Sequence, residues 1–376
     1  MTEILLVRHT QAEGNMYRMM QGHWDGDVTV HGWQQIDALA ERFKNIKIDA
    51  VYSSDLYRAR MTAGAALKYH PELTLHTDER IREIDVGPWE TEFFGNVFRD
   101  HPKEADAFVN HPGSWYAEGA ETYADVTARA YPALCEIAAR HDGQRVVVVS
   151  HGITIRCLMA KILNISLDNV ESLPIFSNTS VTTLQYNNGV FTAISQNDCS
   201  HLDGLNTPVW RNLASLNDVA INPAVEKDFY CACYADAWKA AHGNLVGYSD
   251  SAYLQSAKEH YLADAGSVLK ICDKDDPVGL VEMNVTHGAG EGIGWISLIW
   301  LRSDYRGKGY GVQLLARALK KYSNMGRTVL RLNVAESNKS ARAFYEAEGF
   351  SVIGKEERES GQLLLMERKL GRTMHA

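Results

Sequence analysis

The chain opens on an apolar run, Leu5-Leu6-Val7, that stops at Arg8, His9 and Thr10 with no lysine or acid between. Such a run ending in polar residues predicts a buried central strand whose carboxyl tip meets a ligand. The pattern returns in Arg145-Val146-Val147-Val148-Val149-Ser150, where four consecutive valines predict a strand buried on both faces of a parallel sheet. His151-Gly152 follow, and then a helix over 153–163. Between these strands the spacing predicts a helix from His31 to about Phe43, a strand over 48–53, and a helix opening near Leu56 with Arg58 in its first turn. Residues 176–186 and 190–194 read as a hairpin across Asn187-Asn188-Gly189. A polar stretch, Asn197–Pro208, then breaks the pattern. Helices are expected over 225–241 and 251–263, and short strands over 268–271, 278–285 and 294–301. A helix over 312–322, a strand over 328–334 and a helix over 336–350 complete the set. The expected fold class is α/β in two domains, a mainly parallel α/β/α sheet over 1–200 and a mixed-sheet α/β fold over 205–376.

At 376 residues the chain is too long for one ordinary core, which agrees with two domains. The net charge of −9 is uneven: residues 1–200 hold 17 Lys+Arg against 26 Asp+Glu, and the remainder holds 21 of each. Neither half has the basic face that nucleic acid or anionic lipid needs, so any phosphate chemistry must use a few convergent cations. No apolar run approaches the ~20 residues of a membrane span, and the amino terminus lacks a charged leader and cleavage site. Six cysteines form no dense framework, which points to a reducing cytoplasm. Cys231 and Cys233 are the only close pair, with no second pair at metal spacing, so no metal is expected.

An arginine and a histidine after one strand can be a structural pair at a sheet edge. Here a second strand also delivers a histidine, His151, and a third delivers Arg58. The helix after His151 aims its amino-terminal N–H groups at the same rim, which favours an anion. Glu83 and Asp85, in the loop Arg82-Glu83-Ile84-Asp85-Val86-Gly87-Pro88-Trp89-Glu90, are both available as acids. Together with Asn15, the 53–59 segment and Val149-Ser150-His151-Gly152, these motifs resemble the histidine phosphatase superfamily, the phosphoglycerate mutase-like fold. The resemblance implies that His9 is the nucleophile that becomes phosphohistidine. It also implies that Arg8, Arg58 and His151 hold the phosphoryl oxygens and that Glu83, rather than Asp85, protonates the leaving oxygen. Asn15 and Gly152 fall on the substrate side. Thr10 and Thr91 stand where the family commonly has glycine. The segment from Gly119 to Arg129 looks like the phosphatase branch. Tyr17, Arg18, His23, Trp24 and Tyr116 are candidates for the specificity wall or plain loop anchors.

In the second half, Arg306-Gly307-Lys308-Gly309-Tyr310-Gly311 joins a strand to a helix. A glycine-dense turn there lets successive N–H groups converge on an anion. The spacing fits neither G-x-G-x-x-G nor a Walker loop. With Asn338, Ala341, Tyr345, Gly349 and Phe350, it resembles the GNAT acetyltransferase family. The resemblance implies that acetyl-CoA is bound by Arg306, Gly307, Lys308, Gly309, Tyr310, Gly311 and Asn338. It implies further that pantetheine pairs with the backbones of Ile299 and Leu301, and that Tyr345 protonates the departing thiolate. Glu282 is a candidate base, or a plain strand glutamate.

The expectation is therefore a cytoplasmic bifunctional enzyme. It would join a metal-free, acid-type histidine phosphatase to an N-acetyltransferase, acting on a small phosphomonoester and a small amine. Mutase-type phosphoryl return, and retention of one domain as a metabolite sensor, are the alternatives. Fusion also suggests one amine-bearing phosphomonoester meeting both sites.

Overall fold

The computed structural model describes residues 1–205, 213–358 and 361–371. They form two compact units, the first of 1–92 with 100–205 and the second of 213–371. Phe93–Arg99 clusters with the second unit although it lies inside the sequence range of the first. Part of the polar break expected over 197–208 lies outside the described residues. Among the described residues no helix is long and apolar enough to cross a membrane, and all six cysteines are free.

In chain order the first unit contains β1 (Thr2–Arg8), α1 (Glu13–Tyr17), α2 (Val30–Phe43), β2 (Ala50–Ser53), α3 (Tyr57–Leu67) and β3 (Leu75–Thr77). After α4 (Phe94–Asp100) come α5 (Pro102–Asn110), α6 (Tyr123–Arg140), β4 (Arg145–Ser150), α7 (Gly152–Ile162), β5 (Val181–Asn187) and β6 (Val190–Asp198). Its six-stranded sheet has the order β3-β2-β4-β1-β5-β6. The first four strands run parallel and β5 and β6 return antiparallel. Ile4, Leu6 and Val7 of β1 and Val146, Val147 and Val148 of β4 have no exposed surface. That is the physical content of the apolar runs, since the sheet is covered on both faces. The hairpin turns at Asn188 and Gly189, both at positive φ. β6 runs on through Asn197 and Asp198, where the pattern suggested a break, and Arg42 pairs with Asp198 at 2.6 Å.

The second unit continues with β7 (Asn217–Ala220), α8 (Lys227–His242), α9 (Asp250–Ala263), β8 (Val268–Asp273), β9 (Asp276–Asn284) and β10 (Ile293–Leu301). It ends with α10 (Gly311–Asn324), β11 (Val329–Ala335), α11 (Lys339–Ala347), β12 (Ser351–Arg358) and β13 (Gly361–Lys369). The sheet order is β12-β13-β11-β10-β9-β8-β7. Only β10 and β11 are parallel neighbours, and they pair over Ile293–Ile296 alone. Beyond a register break between Ile296 and Leu298, β10 stays on β9 and leaves β11. The final helix is shorter than the pattern suggested because Asn338 caps it, accepting from Ala341 N at 3.1 Å.

Candidate active site

The register of β1 on β4 builds the first site. Arg8 lies opposite Ser150, so the next residue on each strand, His9 and His151, emerges side by side. Their ring centroids are 5.1 Å apart at 50°, and their exposures are 3% and zero. His9 Nδ1 donates to the carbonyl of its neighbour Thr10 at 2.6 Å. A carbonyl can only accept, so Nε2 carries the lone pair. Burial, then the nearby Arg58 and Arg8, hold the His9 imidazole well below its ordinary pKa. Burial, then Arg58, does the same to His151, whose two ring nitrogens have no hydrogen-bond partner among the described residues. Both rings are thus neutral in a positive, dry recess.

Arg58 enters from the first turn of α3, fully buried. Its Nη1 and Nη2 donate to the carbonyls of Trp24 at 2.9 Å and Gly22 at 2.7 Å. That loop is held in turn by Glu90, which accepts from the N–H groups of Gly22, His23 and Trp24. Arg8 donates to the Phe176 carbonyl. A Cβ on Gly152 would stand 3.3 Å from Arg8 Nε, so glycine there leaves the guanidinium its space. Asn15 is engaged inside the wall: its Oδ1 accepts from Ala12 N at 3.1 Å and from Asn178 Nδ2 at 3.3 Å. Asn178, not foreseen, also ties the His9 carbonyl at 3.0 Å.

One expectation needs correction. The first N–H groups of α7 are not open to a phosphoryl oxygen. The buried Glu83 carboxylate occupies them, accepting from Ile153 N and Thr154 N at 3.1 Å. The helix start positions the acid instead. Of the residues suggested for a specificity wall, Tyr17 and Trp24 are core and Tyr116 is an exposed surface residue. Thr91 has φ +64°, the left-handed backbone that explains why glycine is usual there.

The 119–129 segment, recognisable only as a pattern, has a mechanical role. Arg129 uses all five of its N–H donors. Two reach the Glu121 carboxylate at 2.7 Å, and the others reach the carbonyls of Arg80, Arg82 and Glu83 at 2.8–2.9 Å. Glu121 also accepts from Asp85 N at 2.9 Å. The loop carrying Glu83 is therefore clamped from behind.

In the second unit the residues suggested for a coenzyme gather at the mouth left where β10 parts from β11. Arg302 N donates to Val278 O at 2.8 Å, so the alternating peptides of Ile299 and Leu301 face away from β9, onto the open edge. Gly307 and Gly309 have φ of +69° and +92°, and Tyr310 caps α10 without a side-chain bond to its N–H groups. Lys308 is exposed. Gly311 faces the Phe344 ring, 3.1 Å from where a Cβ would lie. An unpaired strand edge beside glycine-freed N–H groups at a helix start fits a pantetheine-pyrophosphate cofactor. Two side chains are committed elsewhere, and a third is buried. Arg306 pairs with Asp236 and donates from Nε to the Leu301 carbonyl at 2.6 Å, so the cradle rests on backbone rather than on its charge. Asn338 spends its oxygen on the helix cap. Tyr345 is buried, and burial alone lifts its phenol above the usual range. Glu282, the candidate base or plain strand glutamate, is 1% exposed.

Residues 4–199 match the Histidine phosphatase superfamily (branch 1), and residues 228–350 match the Acetyltransferase (GNAT) family. Phosphoserine phosphatase 1 of Hydrogenobacter thermophilus is 32% identical over 46% of this chain and 81% of its own. Phosphoglycerate mutase-like protein 4 of Arabidopsis thaliana is 34% identical over 54% and 87%. The solved structure of Bacillus stearothermophilus YhfR is similar at 32% identity and a TM-score of 0.52, covering 54% of this chain and all of that one.

Two measurements check this geometry. Arg129→Met should remove the five hydrogen bonds that clamp the loop carrying Glu83, lower kcat on an aryl phosphate about 100-fold, and leave the far-ultraviolet circular dichroism intact. Both buried imidazoles have folded pKa values below the unfolded ~6.5. Below that pH the unfolded chain binds protons that the folded one refuses. Stability should therefore be full above ~6.5 and fall by up to ~1.4 kcal/mol per pH unit per ring on acidification. Urea unfolding at stepped pH should show this slope, and His151→Asn should reduce it.

Proposed function

The chain belongs to the histidine phosphatase superfamily and carries a GNAT-family domain after it, and we propose that it is a bifunctional enzyme. It hydrolyses a small phosphomonoester through a phosphohistidine on His9 and transfers acetyl from acetyl-CoA to a small amine. The observation that carries the first activity is the His9–His151 pair, 5.1 Å apart and neutral under buried Arg58.

His9 Nε2 attacks phosphorus as the bond to the leaving oxygen breaks, and Glu83, which takes up a proton as the substrate binds, gives that oxygen its proton. Arg8, Arg58 and a ring N–H of His151 stabilise the charge that spreads over the other phosphoryl oxygens. Glu83 then takes a proton from water, which attacks phosphorus and breaks the P–N bond, so inorganic phosphate leaves and both groups are restored. Asn15 and Gly152 act on this site indirectly, by holding its wall and leaving room for Arg8. The route needs no metal. Relatives named for phosphatase and for mutase chemistry both match. We favour hydrolysis because the 119–129 segment resembles the phosphatase branch, and the phosphoserine phosphatase relative makes phosphoserine the first compound to assay.

In the second domain, bound acetyl-CoA supplies the activated thioester. The N–H groups of Gly307–Gly311 hold its pyrophosphate, with Arg306 bracing the loop. The backbones of Ile299 and Leu301 pair with its amide arm, leaving the Leu301 carbonyl to Arg306. Tyr345, kept protonated by burial, gives its proton to the leaving sulfur. The six free cysteines support a cytoplasmic setting.

Incubating the protein with a phosphomonoester and quenching in alkali should trap acid-labile phosphate on His9. His9→Ala should lose this and all hydrolysis of p-nitrophenyl phosphate, whereas isomerisation of 3-phosphoglycerate without phosphate release would favour the mutase reading. Tyr345→Phe should lower acetyl transfer about 100-fold in kcat with little change in the KM for acetyl-CoA, read by thiol release.

A further inference from the structure

Beneath α8 and α9 a carboxylate is buried without a cationic lysine or arginine. Glu282 on β9 is 1% exposed. Its two oxygens accept from the Tyr230 hydroxyl and from His260 Nδ1, each at 2.7 Å. Among the described residues no lysine or arginine pairs with it. A buried carboxylate without such a partner is costly and needs a reason. Because Nδ1 donates to the carboxylate, the neutral form of the His260 ring carries its lone pair on Nε2. Among the described residues no hydrogen bond is made there, and the His260 side chain is 9% exposed against 2% for Glu282. The imidazole is thus the member of the pair that a ligand can reach.

The placement is also specific. Glu282 lies opposite Leu298 on β10, beside the register break at which β10 leaves β11. One strand spacing, about 4.8 Å, separates its strand from the open edge of β10. Around it stand half-buried aromatic rings. Tyr234 stacks on Tyr253 at 4.1 Å and Tyr253 on Tyr248 at 5.6 Å. Phenol faces beside a carboxylate attract an ammonium group.

Building on the acetyltransferase reading above, we propose that His260 is the base for the acceptor, oriented by Glu282 and Tyr230. The acceptor is a primary amine that enters as its ammonium cation against the Tyr234–Tyr253 wall. His260 Nε2 takes one proton from the ammonium, and Glu282 stabilises the imidazolium that forms. The freed lone pair makes the C–N bond to the acetyl carbon as the C–S bond breaks. The thiolate takes a proton from Tyr345, the nitrogen's second proton restores that phenol, and the imidazolium releases its own to solvent. Sequence spacing had no means of pairing residues 260 and 282, which meet only through the packing of α9 on the sheet.

The full-length native protein is treated with diethylpyrocarbonate, and the His260 peptide is followed by mass spectrometry. His260 should be carbethoxylated, and more slowly in Glu282→Gln; an unmodified His260 overturns the proposal. In parallel, thiol release from acetyl-CoA is measured with ethanolamine, putrescine and tyramine. For whichever amine turns over, His260→Ala should lower kcat about 100-fold, leave the KM for acetyl-CoA unchanged, and recover in part when free imidazole is added. Wild-type turnover in that variant, or a loss that imidazole does not relieve, overturns the assignment. Silence of the wild-type protein with all three amines counts against acetyl transfer itself, while the labelling result still decides the state of His260.

Discussion

Everything in the first unit follows from one strand register. Because β1 and β4 pair parallel with Arg8 opposite Ser150, two histidines leave the sheet at one point, where burial and nearby arginines hold both rings well below their ordinary pKa. Arg58 completes a positive field there, and its hydrogen bonds go to the carbonyls of Gly22 and Trp24 rather than to a carboxylate. Carbonyl dipoles orient a guanidinium without cancelling its charge. The field is left for a ligand, and the neighbouring elements keep it so. Glu90 holds the carbonyl loop, α7 takes up the Glu83 carboxylate, and Arg129 fixes the strand of backbone on which Glu83 sits.

What could be read beforehand divides along physical lines. Buried parallel strands advertise themselves as unbroken apolar runs, and their polar termini name the site, so His9, His151 and Arg58 were visible without coordinates. The glycines at 307, 309 and 311 were visible for a similar reason, since backbone freedom has a residue type attached to it. Contacts made by backbone acceptors carry no such mark. Nothing in the spacing of Arg129 shows that three of its partners are the carbonyls of residues 80, 82 and 83, or that Arg306 turns away from its loop to Asp236. Amphipathic residues mislead in the same way: Tyr17 and Trp24 looked suited to a pocket wall and are core. The start of α7 misled because a helix terminus attracts any anion, and the nearest one belonged to the protein.

One buried guanidinium in the first unit, Arg58, and one buried carboxylate in the second, Glu282, bear on the proposed functions. In the first, a guanidinium is fully buried and no carboxylate forms an ion pair with it among the described residues. In the second, a carboxylate is buried with only an imidazole and a phenol for company. A buried charge stripped of its partner costs a fold about 3–5 kcal/mol, a large share of the 5–15 kcal/mol that holds a typical domain together. Hydrophobic replacements would remove that cost, so stability alone gives no account of either group. A ligand of opposite charge does. An anion entering beside Arg58, or an ammonium entering beside the His260–Glu282 pair, recovers in binding what the empty site forgoes in stability. The two proposed ligands, a phosphate beside Arg58 and an amine beside the His260–Glu282 pair, are each opposite in sign to the buried charge they would approach.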